Sequence, residues 1–185
     1  MKTKENYRLK EFMRMKKTLI VYFSRRGENY VNGSVKSLTI GNTEVVADMI
    51  KAATGGDMFY LEPISEYHEN YYKCIEEAKI DLSSGARPEY KLDGAPISLE
   101  SYEMIYLGYP NYWGTMPMHV YTFLESYDFE GKIIKPFCTH EGSGLGTSVS
   151  EIKKLCPNAS VKSGLAIQGG NVYKSKSSVE KWINQ

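Results

Sequence analysis

Short apolar runs alternate with amphipathic stretches from residue 17 to the C-terminus, and this alternation restricts the chain more than any other feature. Thr18 to Phe23 is β-branched and aromatic on both faces, the pattern of a parallel strand buried on both sides. Thr43 to Ala53 carries Val46, Met49, Ile50 and Ala53 on one helical face, behind a Gly41-Asn42-Thr43 start. Met58 to Leu61 is a second short strand. Tyr71, Ile75, Ala78 and Leu82 recur at helical spacing, which predicts a long helix from about Glu66. Met104 to Gly108 is a third strand, followed by Met116, Val120, Leu124 and Tyr127 on a helix that tolerates Pro117 in its first turn. Ile133 to Cys138 and Val161 to Ile167 complete the strands, and Ser148 to Leu155 and Ser178 to Ile183 the helices. Five strands interleaved with five helices predict an α/β fold with a parallel sheet.

A chain of 185 residues is the size of one domain. With 42% hydrophobic and 24% charged residues it has the composition of a packed globule, which excludes disorder and collagen-like readings. Basic and acidic residues number 23 and 22, and no basic tract is dense, so nucleic acid is not the expected partner. The longest apolar run, near Leu19 to Phe23, is too short to span a bilayer. Cys74, Cys138 and Cys156 are odd in number and at no metal spacing, which fits reduced thiols in a cytoplasmic protein. His68, His119 and His140 show no metal-ligand spacing either, so no metal is expected. Residues 1–16 are charged and lack an apolar h-region; the expectation is a mobile tail, with Met15 the natural start and 17–185 a single domain.

In open parallel sheets ligands bind beyond the carboxyl ends of the strands, where the winding reverses. The loops after the first, third and fourth strands are therefore the informative ones. The first runs from Ser24 to Thr43. Its Gly41-Asn42-Thr43 end is either a simple helix cap or an anion site made of backbone N–H groups and the helix dipole, with the Ser24 hydroxyl beside it. Arg25 and Arg26 are placed to assist an anion or merely to be solvated. Within this loop Asn32-Gly33, flanked by Tyr30-Val31 and Ser34-Val35-Lys36, predicts a hairpin, either a flap over the site or a surface insertion. The second loop, Tyr109-Pro110-Asn111-Tyr112-Trp113-Gly114, offers aromatic platforms for a planar ligand, or else rings that cover the sheet edge. The third, Thr139-His140-Glu141-Gly142-Ser143-Gly144-Leu145-Gly146, lets backbone approach a ligand closely. Its His140 and Glu141 read equally as catalytic groups and as rim hydrogen-bonding groups.

Several nucleotide and hydrolase patterns fail. No G-x-G-x-x-G follows the first strand, no P-loop lysine is present, and Gly142-Ser143-Gly144 has the wrong spacing for a nucleophile elbow. Gly144 stands where a phosphatase cradle following Cys138 needs arginine, so Cys138 reads as a buried strand residue. A phospho-receiver domain needs acidic residues where this chain has Ser24 and Tyr109.

Taken in order, Val21-Tyr22-Phe23-Ser24, Gly41-Asn42-Thr43-Glu44, Gly108 to Gly114 and Thr139 to Gly144 resemble the flavodoxin family, over a match running from about Lys17 to the C-terminus. The resemblance implies a three-layer fold with five parallel strands in the order 2-1-3-4-5, helices on both faces, and FMN at the switch point between strands one and three. It implies that Ser24, Arg25, Gly41, Asn42 and Thr43 surround the phosphate and that Tyr112 and Trp113 flank the isoalloxazine. Pro110, Asn111 and Gly114 would then reach its N5 edge, with Thr139, His140, Glu141, Gly142, Ser143 and Gly144 on the pyrimidine side. The implied function is electron transfer, the flavin cycling between oxidised, semiquinone and hydroquinone states, with a reductase and an electron acceptor as protein partners. Two departures, the near-neutral charge and the hairpin insertion, keep open an FMN-dependent NAD(P)H oxidoreductase of quinones or similar acceptors, with His140 as its one candidate catalytic side chain.

Overall fold

The computed structural model describes residues 17–92 and 98–185; the segment expected to be a tail, and the start at Met15, lie outside the described residues. β1 (Lys17–Tyr22) is the central strand, paired in parallel with β4 (Asp57–Pro63) on one side and β6 (Tyr102–Pro110) on the other. β7 (Ile133–His140) continues the sheet beyond β6, and β8 (Ser160–Val161) and β9 (Leu165–Gln168) both lie parallel to β7. The parallel strands thus run in the expected order 2-1-3-4-5.

β1 shows why the sheet is buried on both faces. Leu19, Val21 and Phe23 point into one core, beneath α2 (Tyr71–Ser84), α3 (Met118–Ser126) and α4 (Ser148–Leu155). Ile20 and Tyr22 point into the other, beneath α1 (Asn42–Thr54) and α5 (Lys176–Ile183). Three layers follow from that two-sided apolar pattern.

Four local expectations are corrected. The sheet gains an antiparallel edge strand, β5 (Tyr90–Leu92), whose register pairs Leu61 with Leu92. The fifth parallel strand is two pieces rather than one. Ile134 O accepts from Lys162 N at 2.8 Å, so residues 134 and 136 present their backbone to this edge, and Pro136 has no N–H to offer; the ladder breaks there. α2 begins at Tyr71 rather than near Glu66, because Asn70 takes the N-cap and accepts from Lys73 N at 3.3 Å. Pro117 is the N-cap of α3 and not part of its first turn.

The Asn32-Gly33 turn forms as read, with both residues at positive φ (52° and 84°), joining β2 (Gly27–Val31) to β3 (Ser34–Leu38). Among the described residues this hairpin pairs only with itself.

Candidate functional site

The end of β1 and the start of α1 are locked together before any ligand is considered. Ser24 is buried, and its Oγ accepts from Glu44 N at 3.0 Å, capping α1 from outside the helix. Gly41, the N-cap, supplies no side chain; a Cβ there would run into Ser24 Oγ and the Arg25 carbonyl. Among the described residues the N–H groups of Asn42 and Thr43 therefore have no partner at the positive end of the helix dipole, and the Ser24 hydroxyl hydrogen beside them has no acceptor. The Thr43 side chain is not free: its Oγ1 lies 2.8 Å from Thr139 Oγ1, a buried hydroxyl pair tying the first loop to the third. Nor are the arginines idle. Arg25 donates through Nε to Glu28 O (2.9 Å) and through its terminal nitrogen to Glu69 O (2.6 Å), while Arg26 forms a two-pronged pair with Glu44 (2.7 and 3.1 Å).

The second and third loops are stitched by one side chain. Asn111 donates from Nδ2 to Gly144 O (3.0 Å), accepts at Oδ1 from Gly114 N (2.9 Å), and donates its own N–H to Thr139 O (2.8 Å). His140 Nδ1 accepts from Gly142 N at 2.9 Å, so the proton of the neutral ring sits on Nε2. Partial burial lowers the His140 pKa and so favours the neutral ring at pH 7, an effect partly offset by nearby Glu141. Ser143 and Gly142 are exposed on the rim. Cys138 is buried, as read, and desolvation raises its thiol pKa to about 12, which leaves it an inert packing group.

Asn42, Thr43, Pro110, Asn111, Tyr112, Thr139, His140 and Glu141 line a common cleft of about 120 Å³ at the carboxyl ends of β1, β6 and β7, with Arg25 at its edge. Trp113 does not line it. Its indole Nε1 donates to Ile75 O on α2 at 2.7 Å, Lys79 Nζ sits 5.1 Å from the ring centre, and half the residue is exposed. Of the expected pair of flanking rings, Tyr112 lines the cleft, packed edge-on against Phe23 and Tyr67, while Trp113 lies against α2.

Three residues absent from the sequence reading of the site complete the cleft: Asn29, Tyr30 and Tyr71. Tyr71 had the spacing of a core-facing helix residue, which hid it. Tyr30 flanks the turn read as a possible flap. The two rings stack, centroids 5.9 Å apart and 24° from parallel. The hairpin that carries Tyr30 spans the site. At its base Glu28 Oε2 accepts from Asn70 Nδ2 (3.0 Å) and Tyr71 N (2.8 Å); near its tip Asn32 N donates to Glu141 Oε2 (3.0 Å).

A larger cavity of about 710 Å³ lies beside the end of β1, between Tyr22, Phe23, Tyr60 and Tyr67 and the carboxylates Glu44, Glu62, Glu66 and Glu69. It touches Ser24 and Arg25 but not Asn42, Thr43 or either of the other two loops. The smaller cleft, which holds the free helix N–H groups, is the better candidate.

The fold and cleft define an open α/β protein whose candidate site joins a helix N-terminus to aromatic rings. The chain belongs to the flavodoxin family, whose sequence profile matches residues 34–185. No curated protein matches the sequence. Among solved structures, it is similar to a Bacteroides uniformis protein provisionally named a flavoprotein, at 26% identity and TM-score 0.70, covering 92% of this chain and 99% of that one. A Lactobacillus acidophilus flavoprotein solved in complex with FMN shares the fold at 23% identity and TM-score 0.64, covering 91% and 99%. Flavodoxin 2 from Bacillus cereus does so at 19% identity and TM-score 0.50, covering 91% and 98%.

Proposed function

We propose that this protein binds FMN and serves as an electron carrier between a reductase and an acceptor protein. FMN joins a flat ring system to a phosphate through a ribityl chain, and the cleft offers a complement to each end. The observation that carries the reading is the start of α1, where the N–H groups of Asn42 and Thr43 are unclaimed among the described residues, in the same cleft as Tyr30, Tyr71 and Tyr112. Membership of the flavodoxin family supports it, as does the shared fold of the Lactobacillus protein solved with FMN.

Bound FMN supplies reversible chemistry in one- and two-electron steps. The chain's part is to hold and tune it. Asn42, Thr43 and the Ser24 hydroxyl receive the phosphate; the Asn111 stitch fixes the facing loops at one separation; neutral His140 presents an N–H at the rim. A second reading, an NAD(P)H oxidoreductase of quinones or similar acceptors, draws on one observation: the aromatic 710 Å³ cavity beside Ser24 has room for another reactant.

An anaerobic visible spectrum of the FMN-loaded protein separates the two. A carrier keeps its oxidised spectrum with NADPH and loses it only with a reductase or light. Bleaching by NADPH alone overturns the carrier reading in favour of the enzyme.

A further inference from the structure

We infer that the β2–β3 hairpin is the movable wall of this flavin cleft, that Tyr30 on it is the ring that stacks on the isoalloxazine, and that Glu141 is the latch that holds it closed. The inference rests on the FMN reading above and names residues for it.

The first ground is space. The cleft holds about 120 Å³, whereas sites for small organic ligands begin at roughly 300 Å³. The Tyr30 and Tyr71 rings close it by stacking at 5.9 Å, and a third ring between them requires about 7 Å, two contacts of about 3.5 Å each. The planar part of the ligand enters only if one of these rings moves. Tyr71 is fixed in the first turn of α2, so the mobile one is Tyr30.

The second ground is how the hairpin is fastened. Its strands pair with no strand of the main sheet, and a two-stranded ribbon alone is marginal in water. Point contacts position it: Glu28 on the start of α2, Val31 buried beneath, and at the tip Asn32, whose N–H donates to Glu141 Oε2 and whose side chain lies against Gly170. The tip contact is the weak one. Glu141 Oε1 is buried with no hydrogen-bond partner among the described residues, so lifting the tip, which admits water to the carboxylate, hydrates that oxygen and offsets the lost Asn32 bond. The Glu28 contact at the base stays made while the tip lifts. Opening exchanges a tyrosine–tyrosine stack for two tyrosine–flavin stacks, so aromatic contact increases on binding.

The test compares four variants by FMN titration and flavin fluorescence, which a stacked tyrosine quenches by electron transfer. Tyr30→Ala is expected to weaken FMN binding roughly 5- to 150-fold and to restore fluorescence. Tyr30→Phe keeps the affinity but restores part of the fluorescence, because phenylalanine stacks without donating an electron readily. Trp113→Ala changes neither, since its ring lies on α2. Glu141→Ala speeds amide exchange at Asn32 in the FMN-free protein and raises the FMN association rate. If the wild type binds FMN and Tyr30→Ala binds it equally with fluorescence still quenched, the hairpin assignment fails alone. A wild type that takes up no FMN overturns the underlying reading as well.

Discussion

His119 is enclosed on all sides, edge-on to Phe23 at 4.4 Å between ring centres, and neither of its nitrogens has a hydrogen-bond partner among the described residues. Burial penalises its charged form and lowers its pKa to about 3. The folded state therefore refuses a proton that the unfolded chain accepts below about pH 6.5. Stability from this residue is complete above that value and falls as pH drops toward 3, by about 1.4 kcal/mol per unit, or about 2 kcal/mol at pH 5. His119→Phe keeps the edge contact and removes the titration. Urea unfolding at pH 5 and pH 7.5 should show a smaller difference for the variant than for the wild type; an equal difference would place the acid sensitivity elsewhere. No spacing rule marked this histidine, since its isolation is a property of the packed core and not of its sequence neighbours.

Elements in this fold are fastened by side chains from distant segments, which divides what the sequence made legible from what it hid. The helix N-terminus at Gly41-Asn42-Thr43 and the Asn32-Gly33 turn were readable because cap and turn chemistry is local. The start of α2 was not, because half of its capping comes from Glu28 on the hairpin, more than forty residues earlier. The position of Trp113 was hidden for a similar reason: its direction is set by the Ile75 carbonyl on α2. Glu28→Ala should thus cost about 0.5–2 kcal/mol, as loss of a helix cap does, and should loosen the hairpin at the same time. Amide exchange across residues 27–38, rising together with a lower melting temperature, checks both. Loss at one alone would separate cap from hairpin. On the opposite face, Lys135 of β7 is buried and donates to Trp182 O (3.1 Å) and Ile183 O (2.9 Å), closing the C-terminus of α5. Lys135→Leu leaves both carbonyls without that donor and should destabilise the fold by about 1–3 kcal/mol in denaturant unfolding; a neutral result would mean the carbonyls find other donors.

Across the whole molecule, the free helix end, the aromatic rings and the Asn111 stitch meet at one place because β1, β6 and β7 all end there; the strand order that the resemblance implied is what brings them together. Charge does not reinforce that place. Carriers that find partners by electrostatic steering gain 10- to 1000-fold in association rate, and lose it as salt screens the field beyond about 10 Å at 0.1 M. Here 23 basic residues offset 22 acidic ones, giving a net charge of +1, so the long-range field on a partner is weak. The second-order rate of reduction by a flavoprotein reductase, followed by stopped flow, should then change by less than about threefold between low and high ionic strength. A drop of tenfold or more would show that a local patch steers despite the balanced total. The carboxylates Glu44, Glu62, Glu66 and Glu69 around the larger cavity are the acidic cluster nearest the site, and of these Glu44 is already paired with Arg26 and Glu62 with Lys91. Neutralising Glu62, Glu66 and Glu69 together would abolish the salt dependence if that patch is its source, while leaving FMN affinity unchanged, because none of the three reaches the cleft beside α1.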